Sequence, residues 1–504
     1  MGSRNARQFT GNTTFTLVYI GINVKLLATI IMKKIVQSII SFTYRNIVKK
    51  VLVLSVLLGF GGFMSCSKFL DVGEPHDRIV AEDVFSDSDK ATSAVLGIYS
   101  QFMGTSLWYS SGGMTIFTGL SADEFYSTNS SNSSYNELRS NSLAPKNSIL
   151  DFNIWDRAYK NIYQSNICIE KLRTADHLPE RVRKQLLGES LFTRAFVYFY
   201  LVNIFGDVPL VLSTDYALNA TKGRDNISTV YDQIIKDLLE AEKLLPDLYI
   251  TPNRVRPNQK TAQALLARVY LYTEQWDLAL AKSNEVIQSG LYSLDLLNKI
   301  FSIEGNETIW QLMPVQPKWN TTEARQLLPL STSASALGQV ALTSGLAASF
   351  QQDDQRKSNY ILSKTVNGTV YHFAQKYKAV AIGTVSEYYK VFRLSEQYLI
   401  RAEANAKKNN IEAALHDINI TRERAGLSKV AGNTQNILLL IENERRSELF
   451  AEWGHRWLDL KRTGRAIDVL KSKQPDITAT DLLYPIPNTV LLSNPFIKQN
   501  QGYE

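Results

Sequence analysis

Residues 444–462 read Glu444-Arg-Arg-Ser-Glu448-Leu-Phe-Ala-Glu452-Trp-Gly454-His455-Arg456-Trp457-Leu-Asp459-Leu-Lys-Arg462. Charged residues recur there at intervals of 3, 4, 4 and 3, which places on one side of an α-helix Arg445, Glu448, Glu452, Arg456 and Asp459. An adjacent stripe is apolar: Leu449, Trp453, Trp457 and Leu460. We predict one helix over residues 436–470, held to the rest of the protein by ion pairs, with Glu452 facing Arg456. The less favoured alternative is that Glu448 and Glu452 form a catalytic pair.

The rest of the chain has the composition of a globular, mostly α-helical protein. Of its 504 residues, 44% are apolar and 20% charged, which excludes a disordered chain, and two cysteines exclude a disulfide scaffold. Apolar residues at helical spacing predict helices over residues 84–102, 155–172, 182–204, 230–245, 261–288, 395–408 and 411–424. Asn226 and Ser228 are candidate caps for the fourth of these helices.

Two stretches share a pattern of small and large residues with offsets of 3, 6 and 3. The first comprises Ala267, Tyr270, Trp276 and Ala279, and the second comprises Ala402, Asn405, Ile411 and Ala414. Small residues let two helices approach closely, as in a tetratricopeptide repeat. We therefore predict tetratricopeptide-like helix pairs that form a scaffold, separated by an irregular insertion.

Two segments are rich in polar residues and lack helical periodicity, at about residues 105–146 and about residues 292–390. Long polar segments within a helical body are typical of binding loops. In the second segment, Asn367-Gly368 lies between β-branched runs and predicts a small β-hairpin with a type I′ turn. Pro485 and Pro487 predict that the C-terminal segment lies extended across the surface.

The N-terminal 65 residues predict a secretory signal. They contain 8 Lys/Arg and no acidic residue, so that the remainder has 47 basic and 48 acidic residues and a net charge of −1. The basic excess therefore belongs to the leader, and we exclude nucleic acid as a partner. A 13-residue apolar block over residues 51–63 follows Lys49 and Lys50, which is typical of a signal peptide.

Cys66 follows this block, where a bacterial lipoprotein carries its acylated cysteine. Phe63 departs from the leucine usual in a lipobox, but the cysteine position is intact. We predict lipid attachment at Cys66, and the alternative is an inert thiol. We favour a start at Met32, because Met32-Lys33-Lys34 opens a more ordinary leader; the alternative is that residues 15–32 span a membrane.

Motifs for metal or cofactor chemistry are missing from the sequence. Its five histidines form no HExxH or comparable set, and there is no GxSxG motif or Walker loop. Asp123 and Glu124 are adjacent in sequence, which suits a glycosidase pair poorly. We expect no cofactor and no metal. Cys168, in an apolar helical run, is predicted to be buried.

Several segments together resemble the SusD/RagB family of bacterial outer-membrane nutrient-binding lipoproteins. They occur in family order and span residues 66–504, which we treat as a single domain: Cys66-Ser-Lys-Phe-Leu-Asp71, residues 189–210 with Arg194 and Gly206-Asp207-Val-Pro209, residues 261–270, residues 444–462, Tyr484-Pro485-Ile-Pro487, Asn494-Pro495 and Asn500-Gln-Gly502-Tyr503.

The resemblance implies a helical scaffold with a less regular half that carries the ligand site. It also implies a non-catalytic lipoprotein of the outer membrane, which binds oligosaccharides and delivers them to a SusC-like TonB-dependent transporter. The family resemblance also allows a peptide ligand, which is the first alternative. A secreted glycosidase and a tetratricopeptide scaffold that binds only protein are further alternatives.

Glycan binding requires aromatic faces that stack on sugar rings and planar groups that bond to hydroxyls. The polar loops contain such residues, and we predict as ligand-binding Trp108, Tyr109, Tyr126, Trp319, Asn320 and Arg325. Each aromatic has the alternative of packing beneath its own loop.

Overall fold

The computed structural model describes Thr29, residues 32–38 and residues 81–504, except residues 105, 330–336 and 433–435. Residues 32–38 are helical and exposed. The apolar block at 51–63, Cys66 and the remaining residues of the predicted signal segment, apart from Thr29 and residues 32–38, lie outside the described residues. Across the described ranges, no helix combines the length and the apolar character that crossing a bilayer requires. Residues 1–79 and 80–504 separate into two compact units, and the second contains the elements that follow.

The second unit is mostly α-helical, as predicted. Four irregular helical turns accompany the regular helices, at Tyr109–Gly113, Ile149–Trp155, Pro252–Arg254 and Thr480–Leu482. The α-helices of this unit are α1 (Ala81–Val84), α2 (Ser88–Phe102), α3 (Met114–Ser121), α4 (Ser133–Arg139), α5 (Asp156–Thr174), α6 (Glu180–Phe205), α7 (Tyr216–Ala220), α8 (Ile227–Leu244), α9 (Gln259–Tyr272), α10 (Trp276–Ile287), α11 (Thr322–Leu327), α12 (Ser344–Ser349), α13 (Gln355–Tyr360), α14 (Leu394–Lys407), α15 (Ile411–Arg424), α16 (Ile437–Leu449), α17 (His455–Arg462), α18 (Ala466–Leu470) and α19 (Asn488–Ser493).

The central helix is α6, which is buried on almost every side from Gln185 onward. A helix that is apolar all round belongs inside a large core, and α6 packs against α5 and α8. Phe196 contacts the rings of Trp310 and Trp453 edge to face, with centroids 5.3 and 5.4 Å away. The predicted burial of Cys168 is confirmed, since its exposed fraction is 3%. Of the two candidate caps of α8, Asn226 is the cap, accepting a hydrogen bond from Thr229 N at 2.9 Å.

The tetratricopeptide-like pairs are present as predicted. α9 packs against α10, and α14 packs against α15, each pair joined by a three-residue connection. The continuous helix predicted over residues 261–288 is interrupted, because Glu274 has a φ of 58° in the connection between α9 and α10. The pairs are far apart in sequence but adjacent in the fold, since α10 packs against α14.

The predicted helix over residues 436–470 is also interrupted, and this prediction was wrong. The chain leaves the helix after Leu449, and φ is 53° at Ala451, 46° at Trp453 and 74° at Gly454. The turn is stabilised from outside, because Trp453 N donates to Thr115 Oγ1 at 3.0 Å and Trp453 Nε1 donates to Lys390 O at 2.7 Å. Helices α16, α17 and α18 therefore replace one long helix.

Two small antiparallel sheets complete the unit. The four-stranded sheet has the order β1-β3-β5-β4, from strands β1 (Phe125–Ser127), β3 (Val340–Leu342), β4 (Ile361–Val366) and β5 (Thr369–Ala374). Strand β2 (Thr308–Leu312) pairs with β6 (Tyr389–Arg393), and Leu312 lies opposite Tyr389. The predicted hairpin is β4–β5, and its turn residues Asn367 and Gly368 have φ of 50° and 79°, as a type I′ turn requires.

The C-terminal segment is extended beside its prolines but does not lie only on the surface. Tyr484 is 1% exposed, and its N–H donates to Ile204 O at the end of α6 at 2.9 Å. The short helix α19 begins at Asn488, directly after Pro487. The segment therefore closes one end of the core.

Ion pairs anchor the C-terminal helices, but with partners other than those predicted. Glu448 pairs with Arg393 at 3.0 Å, with Arg356 at 3.2 Å and with Arg424 at 2.5 Å, and all four side chains are buried. A second acid at the α16–α17 turn, Glu452, pairs with Arg393 at 2.8 Å. The cluster spans α13, β6, α15 and α16, and it therefore joins the scaffold to the inserted segment.

The predicted pair of Glu452 with Arg456 does not form. Lys376 donates to Glu452 at 2.5 Å, whereas Arg456 binds Asp123 at 2.8 Å and Glu442 at 3.1 Å. The interruption between α16 and α17 changes the direction of the chain between positions 452 and 456, so these side chains do not share one helical face.

Candidate functional site

The two polar segments meet at α11. Thr321 caps this helix by accepting a hydrogen bond from Ala324 N at 3.2 Å. From the first segment, the turn at Tyr109–Gly113 packs on the helix, and a Cβ built on Gly112 would lie 3.0 Å from Glu323 Oε1. Within the second segment, Gln339 N donates to the carbonyl of Gln326 in α11. Helix α11 is therefore in contact with elements of both polar segments.

Trp319 lies immediately before α11 and is half-buried. The guanidinium carbon of Arg325 lies 3.6 Å from the centroid of the Trp319 ring, so the two planar groups are in cation–π contact. The loop before Trp319 is held by a later part of the same segment, because Gly383 N donates to Lys318 O at 2.9 Å. This pair is the most clearly preorganised aromatic group among the predicted residues.

Trp108 is also half-buried, at the start of the irregular turn. The guanidinium carbon of Arg157 lies 4.3 Å from its ring centroid. Trp108 also lies against Gly104, where a Cβ would come within 1.9 Å of the indole ring. The backbone N–H of Trp108 donates to Ser111 Oγ at 3.1 Å. The Trp108 ring therefore packs against the chain at Gly104 and beneath Arg157 of α5.

Tyr126 is the middle residue of β1 and lies opposite Ala341 of β3. Its ring is half-buried and faces Arg139, whose guanidinium carbon is 6.0 Å from the centroid. Burial raises the pKa of Tyr126, and the neighbouring Tyr371 raises it further. Strand β3 begins directly after Gln339, whose N–H donates to Gln326 O of α11. Because β1 pairs with β3, Tyr126 lies on a strand next to one that contacts α11.

Two of the predicted ligand residues lie inside the protein. Tyr109 is 1% exposed, and its hydroxyl donates to Asn161 Oδ1 at 2.9 Å. Asn320 is 5% exposed and accepts hydrogen bonds from Ser386 N and Glu387 N at 2.9 and 3.0 Å. These contacts hold loops together, so the structure excludes both side chains from the surface where a ligand would bind.

Glu323, which the sequence analysis did not single out, is the unusual group of this region. It is fully buried on the inner side of α11, and neither carboxylate oxygen makes a hydrogen bond of good geometry within the described residues. Burial raises its pKa to about 8, so that the carboxyl group is mostly neutral at pH 7. The phenol groups of Tyr377 and Tyr389 lie close enough to have their own pKa values raised by it. Nothing in the sequence around position 323 indicates this burial.

The acidic residues considered for catalysis have structural partners instead. Burial alone would raise the pKa of Glu448, but Arg424, Arg393 and Arg356 lower it well below its usual range. A carboxylate held ionised in this way cannot act as a general acid at neutral pH. Glu452 likewise has a lowered pKa, with Arg393 and Lys376 as its partners.

The adjacent pair Asp123 and Glu124 behaves differently. Asp123 binds Arg446 at 2.7 Å and Arg456 at 2.8 Å, whereas burial raises the pKa of Glu124 to about 7. His455 is buried, and burial lowers its pKa well below its usual range. The described residues contain no cluster of three or more His, Cys, Asp or Glu side chains that could hold a metal ion.

The deeper concavities lie on the scaffold rather than at α11. One is a groove of about 810 Å³ between the two helix pairs, lined by Asn284, Arg401, Asn405 and His416. Others, of about 530 and 450 Å³, lie beside α6 and beside α16. None of these three grooves is lined by Trp108, Trp319 or Arg325. The predicted aromatic residues therefore lie outside these three grooves.

Known proteins resemble this chain in sequence. Residues 68–271 match a family model described as SusD-like, starch-binding and associating with the outer membrane, and residues 316–503 match the model of the SusD family. A SusD-like protein of Formosa agariphila is 25% identical over 533 residues, which cover 90% of this chain and 99% of the relative. A SusD-like protein of Bacteroides ovatus is 25% identical, covering 61% of this chain and 64% of the relative.

Solved structures show the same fold. A SusD superfamily protein of Bacteroides vulgatus superposes with a TM-score of 0.73 at 20% identity, covering 82% of this chain and 99% of that one. A laminarin-binding SusD-like protein gives a TM-score of 0.71 at 24% identity, covering 83% and 100%. The surface glycan-binding protein A of Bacteroides uniformis gives 0.71 at 20% identity, covering 82% and 100%. With family models matching both halves of the compact unit, this chain belongs to the SusD/RagB family.

Proposed function

We propose that this protein is a non-catalytic glycan-binding lipoprotein of the bacterial outer membrane. It captures oligosaccharides at the cell surface and delivers them to a SusC-like TonB-dependent transporter. The family membership supports this, as do a relative of the same fold that binds laminarin and another named as a surface glycan-binding protein.

The observation that carries the proposal is the half-buried aromatic surface around α11. Trp319 with Arg325, Trp108 and Tyr126 lie on segments that pack on or beside this helix. Sugar rings stack their C–H faces on such aromatics, and guanidinium donors bond to hydroxyl oxygens. This surface suits a polymer that has to be released again, because binding is spread over several weak contacts.

Binding is tested with residues 67–504 on a glycan array, followed by calorimetry with the best glycan. Trp319→Ala should weaken binding at least tenfold, a loss of about 1.4 kcal/mol or more. Trp276→Ala is the matched control, because Trp276 is a half-buried tryptophan on α10 whose ring contacts Lys407. Equal losses in both variants, or no glycan bound by the unmodified domain, would refute the proposal.

A peptide ligand remains the first alternative, and the same calorimetry with a peptide panel decides between the two. Binding to peptides alone refutes glycan capture.

A glycosidase is the second alternative, and sustained release of reducing ends by the purified domain would establish it. Because Glu448 and Glu452 are held in buried ion pairs, we expect no such release.

Lipid attachment at Cys66 is the proposed means of membrane association. Two or three acyl chains on one residue hold a soluble domain firmly to a bilayer. Full-length protein expressed in a Bacteroidetes host should incorporate labelled palmitate and fractionate with the outer membrane, and Cys66→Ala should do neither. Unlabelled protein in the cytosol would contradict the proposal.

The transporter partner is tested in the same cells. Mild detergent extraction of the tagged protein should co-purify one large β-barrel protein encoded beside it. Extraction of the tagged protein alone, under conditions that keep other outer-membrane complexes intact, would contradict a stable partnership.

A further inference from the structure

The three half-buried aromatic side chains of the candidate site share a feature that neutral-sugar binding does not require. Each has an arginine over its ring. The distance from guanidinium carbon to ring centroid is 3.6 Å for Arg325 over Trp319, and Arg157 and Arg139 lie over the other two rings at 4.3 and 6.0 Å. A guanidinium stacked on a ring keeps its N–H donors around its edge, where they point away from the ring.

These arginines are not held in the buried carboxylate pairs that bind many other arginines of the chain, although Arg139 Nη1 donates to Phe125 O at 2.8 Å. Among the described residues, no carboxylate lies within 4.0 Å of Arg325 or Arg139. Arg157 has only the adjacent Asp156, at 3.7 Å, and its Nε makes no hydrogen bond in the described part of the chain. By contrast, Arg268 binds Glu396 through two hydrogen bonds of 2.6 and 2.7 Å.

The carboxyl group closest in sequence to Arg325 does not neutralise it. Glu323 faces the core from the other side of α11, and its raised pKa leaves it mostly uncharged at pH 7. In the first segment, Asp123 is already bound by Arg446 and Arg456, and Glu137 accepts hydrogen bonds from Ala144 N and Asn147 Nδ2. Lys318, in the loop beside Trp319, is exposed and adds a further positive charge. Neither Glu323 nor Asp123 therefore neutralises Arg325 or Lys318.

We propose that the ligand is an anionic oligosaccharide, whose carboxylate or sulfate groups bind the edges of these stacked guanidinium groups while its sugar rings contact the free parts of the aromatic rings. Arginine binds both anions with two parallel hydrogen bonds, and a stacked guanidinium is already oriented for this. Uronic acids and sulfated sugars supply the two forms of the same chemistry. This inference rests on the proposed glycan-binding function and specifies the class of glycan.

The test uses residues 67–504 on an array of matched pairs in which one member is charged and the other neutral. The pairs are oligogalacturonides with their methyl esters, and sulfated galactans with their desulfated forms. We expect the protein to bind charged members of one set at least tenfold more tightly than their neutral partners. The set that binds identifies whether carboxylate or sulfate is recognised.

Arg325→Gln should then weaken binding of the charged glycan about 10- to 100-fold, because a hydrogen bond to a charged group is lost. It should weaken binding of the neutral partner less, about two- to fivefold, because the hydrogen bond lost there is to an uncharged hydroxyl. Arg325→Lys should restore part of the affinity, since it retains the charge without the fork of donors. Arg173→Gln is the control, because this exposed arginine on α5 pairs with Glu240 at 2.8 Å and lies outside the site.

The outcomes distinguish the anionic-ligand inference from the proposed glycan-binding function on which it rests. Equal binding of charged and neutral members, or equal loss for both in Arg325→Gln, overturns the anionic-ligand inference and leaves glycan binding standing. Binding to neither member of any pair, together with no binding on a general glycan array, overturns the proposed function itself. Affinity for the charged member should also fall at least fivefold between 50 and 500 mM NaCl, and a salt-independent affinity overturns the inference.

Discussion

Replacing Glu323 with glutamine should stabilise the protein increasingly as the pH rises. Glu323 is fully buried beneath the candidate site, and no lysine or arginine of the described residues lies within ion-pair distance. Ionisation would leave a negative charge in an environment whose nearest polar neighbours are the phenols of Tyr377 and Tyr389. Glutamine has nearly the size and shape of the protonated acid but cannot ionise.

The magnitude follows from the pKa in the two states. Burial raises the pKa of Glu323 from 4.5 to about 8. The folded state therefore binds more protons than the unfolded state between these values, so stability falls as the pH rises through this window. At about 1.36 kcal/mol for each pKa unit, the full cost above pH 8 is about 5 kcal/mol. About 3.5 kcal/mol of it accrues between pH 5 and pH 8.

Urea unfolding of the wild type and of Glu323→Gln at pH 5 and pH 8 measures this difference directly. The free energy of unfolding of the variant minus that of the wild type should grow by about 3–4 kcal/mol from pH 5 to pH 8. Effects of substitution that do not depend on pH cancel in this comparison. Glu304→Gln is the control, because Glu304 is exposed, and its difference should stay within about 0.5 kcal/mol. Parallel pH profiles for the wild type and Glu323→Gln would refute a buried neutral acid.

Three further substitutions test the fold. Glu448→Ala should lower the free energy of unfolding by about 3–5 kcal/mol, because Arg393, Arg356 and Arg424 each lose one carboxylate partner and the buried cluster loses a negative charge, and a loss below about 1 kcal/mol in urea unfolding contradicts that. Gly454→Ala should cost about 2 kcal/mol or more, since φ is 74° and the new Cβ would lie 2.4 Å from Thr118 Oγ1; adding Thr118→Ala should recover part of the loss in melting temperature, and no recovery would assign the whole cost to the backbone. Asn226→Ala should cost about 1 kcal/mol through loss of the α8 cap, and an unchanged denaturant midpoint would show that the cap is dispensable.

Local patterns in the sequence predict the scaffold well, because helix pairs depend on spacing that is visible within about 30 residues. The α14–α15 pair and the β4–β5 hairpin appear where the spacing and Asn367-Gly368 place them. The turn between α16 and α17 could not be predicted in the same way. Apolar and charged periodicity continues through it, and the groups that stabilise it, Thr115 and Lys390, are distant in sequence.

The residues of the candidate site could likewise be predicted only in part from the sequence. Aromatic residues in polar loops indicated Trp108, Tyr126 and Trp319, and the structure gathers their segments around α11. The same reasoning selected Tyr109, whose burial depends on its contact with Asn161 of α5. The arginines over the aromatic rings were largely missed, because only Arg325 lies near its ring in sequence. Burial and charge pairing are tertiary properties, and loop composition alone does not contain them.

The pairing of β2 with β6 has an evolutionary consequence. Residues 313–388 depart from Leu312 and return at Tyr389, which lie opposite each other in the small sheet. Cα atoms facing each other across antiparallel strands are about 5 Å apart, so a replacement of almost any length can start and finish at the same two points. Doubling its length adds only about 0.6 kcal/mol of closure entropy. Evolution can therefore replace much of the segment at residues 313–388, and with it part of the proposed recognition surface, while the helical scaffold stays the same.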